Sequence, residues 1–141
     1  MPGYKVSYNV DGEDFTVAGE ASRNLKKVLS QLGIDPQIAR KATIAMYEGE
    51  INMVIHADGG VIDVEITPEK IHMFLRDKGP GIQNINLAMT EGYSTAPDEV
   101  REMGFGAGMG LPNMKKYTDY FNIETEVGVG TTVEMIVNIL F

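Results

Sequence analysis

Three stretches of this chain hold residue types whose spacing suits chemistry. In the first, Ile71, Met73 and Leu75 alternate with His72, Phe74 and Arg76, and Asp77 falls in phase with the apolar set. Such alternation marks a half-buried strand, here driving a carboxylate toward the core just before Gly79-Pro80-Gly81. A buried charge needs a hydrogen-bond partner and glycines let a flat ligand approach the backbone, so Asp77 could receive an adenine amino group. The plainer alternative is an Asp that caps a glycine turn. The second stretch sets Glu48 and Asn52 four apart on one helix face, flanked by Ile44, Ala45, Ile51 and Ile55. Two polar groups on an apolar face need a reason, the structural one being a satisfied Glu–Asn hydrogen bond facing a crevice. In the third, Gly104, Gly106, Gly108 and Gly110 alternate ahead of a helix. Free amides at a helix N-terminus, with the dipole behind them, suit a phosphate; a flexible hinge would explain one or two glycines but not four.

These groups must be carried by regular elements. Lys5 to Val10 and Phe15 to Val17 read as strands joined at Asp11-Gly12, a hairpin within residues 1–18. Glu20 to Leu32 has helical apolar spacing and stops at Gly33. Asp35-Pro36 opens a second helix, running to about His56, whose apolar residues point in nearly every direction and imply extensive burial. Gly49 within it costs roughly 1 kcal/mol against Ala, which implies close packing at that point. Val61 to Thr67 alternates strictly and should pair antiparallel with the Asp77 strand. Residues 82 to 105, with a short helical piece at Asn84 to Met89, form a long irregular connection of the kind that serves as a lid. A helix from Leu111 to about Tyr120 and strands Phe121 to Val127 and Thr131 to Ile139 complete the chain. Thr131 is in phase with Val133, Met135 and Val137, so Thr131 and Asp77 are expected beneath one ligand. The fold class is α+β: a two-layer α/β sandwich in a single domain over 1–141, with helices on one face of a mostly antiparallel sheet.

Composition narrows the partners. The net charge of −8, with no evident cluster of Lys and Arg, argues against nucleic acid. Any bound phosphate would therefore need backbone amides and a metal. There is no cysteine, no apolar targeting segment and no apolar run of membrane-spanning length, which reads as a cytoplasmic protein. The glycine run fits neither common nucleotide motif. Met109 and Leu111 stand where a dinucleotide fingerprint needs glycine, and the Walker Gly-Lys-Ser/Thr is missing.

In order along the chain, Glu48-x-x-x-Asn52, Asp77-x-Gly79-x-Gly81, Gly106-x-Gly108-x-Gly110-Leu111 and Gly130-Thr131-Thr132 resemble the motif boxes of the GHKL, or Bergerat-fold, ATPases. Within that group the chain is similar to the bacterial anti-sigma-factor and stress-switch serine/threonine kinases, and Gly92-Tyr93-Ser94-Thr95 resembles the lid of the switch-kinase branch. The resemblance implies ATP and Mg2+ as cofactors. Asn52 would hold the metal, and Glu48 would be the catalytic general base. Asp77, completed by Thr131, would bind adenine, and Gly79, Gly81 and Ile82 would line the base. Gly106, Gly108, Met109, Gly110 and Leu111 would wrap the phosphates, with Ser94 and Thr95 closing over them and His56 within reach. Arg23 resembles an arginine that assists the transferred phosphate in some relatives, while Arg101 is the lid's one cation. The implied function is phosphorylation of a small antagonist protein, with a sigma factor as a further partner and a homodimer compatible with the pattern. A non-catalytic module that senses ATP or ADP is the alternative. A histidine kinase is disfavoured because His56 and His72 are poorly placed as phosphoacceptors.

Overall fold

The computed structural model describes residues 3–11, 19–56, 59–77 and 110–139. Five strands, β1 (Tyr4–Asp11), β2 (Gly59–Ile66), β3 (Lys70–Asp77), β4 (Tyr120–Glu126) and β5 (Gly130–Asn138), form one sheet in the order β1-β2-β3-β5-β4. Every neighbouring pair is antiparallel. Among the described residues three helices, α1 (Glu20–Gln31), α2 (Pro36–His56) and α3 (Gly110–Lys116), accompany it. The architecture is the α+β layering expected from the sequence.

Alternation explains the sheet. Ile62, Val64, Ile66, Ile71, Met73, Leu75, Val133, Met135 and Val137 are buried and share a core with Leu25 and Leu29 of α1, Met46 and Met53 of α2 and Met114 of α3. The helices thus cover one sheet face. The other face is a polar ladder: Ser7 Oγ donates to Asp63 at 2.6 Å, Arg76 pairs with Asp63 at 2.6 Å, and the Arg76 guanidinium lies over Phe74. His72 Nε2 meets Glu134 Oε2 at 2.6 Å on this same outer face. That places His72 across the sheet from the helices.

The element boundaries follow from caps. Asp35 Oδ1 accepts the N–H groups of Gln37 and Ile38 at 2.9 and 3.4 Å, starting α2 as expected. The helix after the glycine run ends at Lys116, short of the expected Tyr120. Thr118 Oγ1 donates to the Met114 carbonyl at 2.8 Å, and Asp119 is bonded to β5 at both its N–H and its Oδ2, so Tyr120 is already paired with Ile136. The strand expected at Phe15 to Val17, the helical piece at Asn84 to Met89 and the lid over 82–105 lie outside the described residues.

The second helix is less uniformly covered than its composition implied. Ala42, Ala45, Met46, Met53 and Val54 are buried, but Tyr47 is 37% exposed and Ile44 only half-buried. Gly49 supplies the close contact foreseen for it. A Cβ there would collide with the Leu75 side chain of β3 and lie 3.3 Å from Met114 Sδ of α3. Helix α2 therefore rests directly on β3 with α3 wedged alongside.

Candidate nucleotide site

The end of β3 carries Asp77, half-buried, whose Oδ1 accepts the Thr131 N–H at 3.1 Å. Thr131 is itself buried, and its hydroxyl lies 2.9 Å from that of Thr125 on β4. The carboxylate thus has a fixed orientation at the junction of β3 and β5. Above it runs the second half of α2. Leu75, two residues before Asp77 and on the same side of the strand, packs at Gly49. One turn further along α2, Met53 Cε closes over Gly60, which pairs with Asp77 in the sheet. These contacts bring Asp77 and the Glu48–Asn52 segment to one end of the helix–sheet interface.

Glu48 is half-buried, and its Oε1 accepts from Asn113 Nδ2 of α3 at 3.3 Å. Burial pushes its carboxyl above the ordinary carboxylate value, with the Asn113 hydrogen bond opposing. A carboxylate moved in that direction is the better proton acceptor near neutral pH. Asn52 is half-buried and its side chain makes no hydrogen bond among the described residues. Its amide oxygen is therefore available to a hard cation. Among the described residues no group of three or more His, Asp or Glu could cage a metal, so a cation here would take phosphate and water as its other ligands.

The remaining expected residues divide plainly. Gly110 opens α3 and Leu111 is buried at its first turn, directly after the glycine run. His56 ends α2, with its side chain outside the described residues. Gly79, Gly81, Ile82, Ser94, Thr95, Arg101, Gly106, Gly108 and Met109 also lie outside them. Arg23, exposed on α1, approaches α2: a Cβ on Gly19 would lie 3.2 Å from both its Nη1 and Tyr47 Cε2. Burial, with the charges of Glu48 and Glu50, raises the Tyr47 hydroxyl pKa, and Arg23 opposes the rise.

Two residues escaped the sequence reading. Asn113, which orients Glu48, sits in an unremarkable Leu-Pro-Asn-Met segment and offers no signal of its own. Glu50 is 3% exposed, and its two oxygens accept the N–H groups of Gly19, Ala21 and Ser22 at 3.0 to 3.1 Å and the Ser22 hydroxyl at 2.6 Å. A signal for it existed. Helix α1 begins after Gly19 with no side-chain cap of its own, so its free amides required an acceptor from elsewhere.

A five-stranded antiparallel sheet under a long helix, with a strand-end carboxylate bonded to a threonine, defines a two-layer α+β domain. The chain belongs to the family described as histidine kinase-, DNA gyrase B- and HSP90-like ATPases, which it matches over residues 38–139. It is 29% identical over 127 residues to the serine/threonine-protein kinase RsbT of Bacillus subtilis, covering 87% of each chain. It is 32% identical over 111 residues to the anti-sigma F factor of Anoxybacillus flavithermus, covering 73% of each. In fold it resembles the RsbU and RsbW domains of a Mycobacterium tuberculosis protein, with a TM-score of 0.64 at 16% identity, over 95% of this chain and 31% of that one.

Proposed function

We propose that this chain is an ATP-dependent serine/threonine protein kinase of the anti-sigma, stress-switch type, which phosphorylates a small antagonist protein and binds a sigma factor in alternation with it. The observation that supports the reading is the packing of Gly49 on Leu75 and of Met53 on Gly60, the sheet partner of Asp77, which seats the turns of α2 that hold Glu48 and Asn52 on the end of β3 where Asp77 bonds Thr131. The kinase and anti-sigma names of the relatives support the same reading.

In this scheme Asp77 and Thr131 receive the adenine, and the amides entering α3 at Gly110 face the phosphates. Asn52 would hold Mg2+, which neutralises phosphate charge when bound. Glu48 accepts the proton of the incoming hydroxyl. It is held by Asn113 rather than free to rotate, and burial raises its basicity. The expected location is the cytoplasm; among the described residues no helix is long and apolar enough to cross a membrane.

Calorimetric titration with ATP and magnesium tests the nucleotide reading, and phosphate transfer from labelled ATP to candidate antagonist proteins tests the chemistry. Asp77→Asn is expected to abolish measurable ATP binding. Glu48→Gln should bind ATP normally while phosphate transfer falls by about 100-fold or more, the range of general-base catalysis. Unchanged transfer in Glu48→Gln would remove the base assignment, and unchanged affinity in Asp77→Asn would remove the nucleotide site.

A further inference from the structure

Charge is segregated along this acidic chain. Residues 20–47 hold Arg23, Lys26, Lys27, Arg40 and Lys41 against Glu20 and Asp35, a formal +3 in a chain of −8, which leaves −11 for the remainder. The segment is α1 and the first half of α2, which pack side by side, and all five cations are exposed. Among the described residues none of the five forms an ion pair. Of the two carboxylates, Asp35 is engaged in capping α2 and Glu20 lies in the first turn of α1.

Beside this band, α1 and β1 enclose an open groove of about 620 Å³. Arg23, Asn24 and Lys27 line it from α1 and Ser7 and Asn9 from β1, with Glu20 as its one lining carboxylate. Arg23 and Tyr47 both approach Gly19, so the groove borders the α1 side of α2. The groove thus joins cationic and neutral hydrogen-bonding walls.

We propose that the exposed side of α1, its groove against β1 and the basic first half of α2 form the docking surface for an acidic segment of a protein partner. The inference rests on the kinase reading only for the partner's role, namely that the docked protein is the one presenting its hydroxyl to Glu48. A short acidic segment suits the dimensions. Helix α1 has 12 residues and spans roughly 18 Å, whereas charges are screened beyond about 8 Å at physiological salt, so the negative remainder of the surface does not repel a locally bound segment. A long polyanion such as nucleic acid would extend across that remainder and be repelled by it.

The test is fluorescence anisotropy of a short fluorescein-labelled peptide of alternating glutamate and serine, with a lysine–serine peptide and a single-stranded oligonucleotide as competitors. The full chain should bind the acidic peptide at low salt and not the basic one. The variant Lys26→Glu/Lys27→Glu should weaken that binding at least about tenfold, with ATP affinity and circular dichroism unchanged. Should that variant lose its helical signal, Lys26→Gln/Lys27→Gln is expected to give a smaller loss in the same direction. Equal peptide affinity in folded variants, or displacement of the peptide by the oligonucleotide at lower concentration than by unlabelled peptide, would overturn the proposal. The two readings fail separately. Asp77→Asn should lose ATP and retain the peptide, and a wild-type chain that binds peptide but no ATP would sink the kinase reading while leaving the docking surface in place.

Discussion

At the scale of single residues, two glutamates two positions apart have opposite fates. Glu48 is half-buried with one hydrogen bond from a neutral amide, whereas Glu50 is buried with four donors. The first is a charge held at a cost and the second a charge well compensated. Because burial raises the Glu48 pKa above its unfolded value, the folded state binds the proton more tightly. Glu48 therefore favours folding below the ordinary carboxylate pKa, and that contribution is lost as pH rises through the raised value. Glu48→Gln should accordingly melt at a higher temperature than the wild type near pH 8, with the difference vanishing near pH 4; thermal denaturation at the two pH values reads this directly. Glu50→Gln loses acceptors from a buried cluster of donors and should destabilise the fold by roughly 1–3 kcal/mol in urea unfolding. Helical spacing made Glu48 and Asn52 visible in the sequence. The uncapped start of α1 signalled that an acceptor was needed, but not that Glu50, 28 or more residues later, would supply it, because backbone amides do not specify their partner in residue identity.

At the scale of elements, Gly49 sets how closely α2 approaches the sheet. Leu75 and Met114 occupy the space that a Cβ would need, so Gly49→Ala gains helix propensity of roughly 1 kcal/mol but must push α2 away from β3. Overpacking of this kind costs about 1–3 kcal/mol, and the net expectation is destabilisation. The same displacement would move the Glu48–Asn52 face relative to Asp77, so ATP affinity should fall in parallel with stability. Chemical denaturation and calorimetry on one preparation check both. A stabilised Gly49→Ala protein with full ATP affinity would show that the helix has room to spare.

At the scale of the whole molecule, a ligand bound at the junction of β3, β5 and α2 would be linked to global unfolding, because those elements hold the centre of the core. Saturation at about a hundredfold over its dissociation constant adds about 2.7 kcal/mol of stability. ATP with magnesium should raise the melting temperature of the wild type, and Asn52→Ala should reduce the magnesium-dependent part of that rise. The polar outer face of the sheet, with His72 bonded to Glu134, is separated from the helix-covered face by the sheet itself. It is expected to contribute nothing to nucleotide affinity, so His72→Gln should bind ATP as the wild type does.

The periodicity of single segments determined a good deal of this protein. It specified the strands either side of residue 68, the long helix opened by Asp35, the inward phase of Asp77 and Thr131, and the two-layer class, because alternation and capping are local properties of the backbone. Tertiary structure alone decided that Asn113 orients Glu48, that Glu50 caps a distant helix and that Leu75 fills the space above Gly49. It also gathered five cations, separated in sequence by up to 18 positions, on two adjacent helices. Each of these depends on the distance between elements, which is set by close packing of side chains and has no periodic signature in the chain.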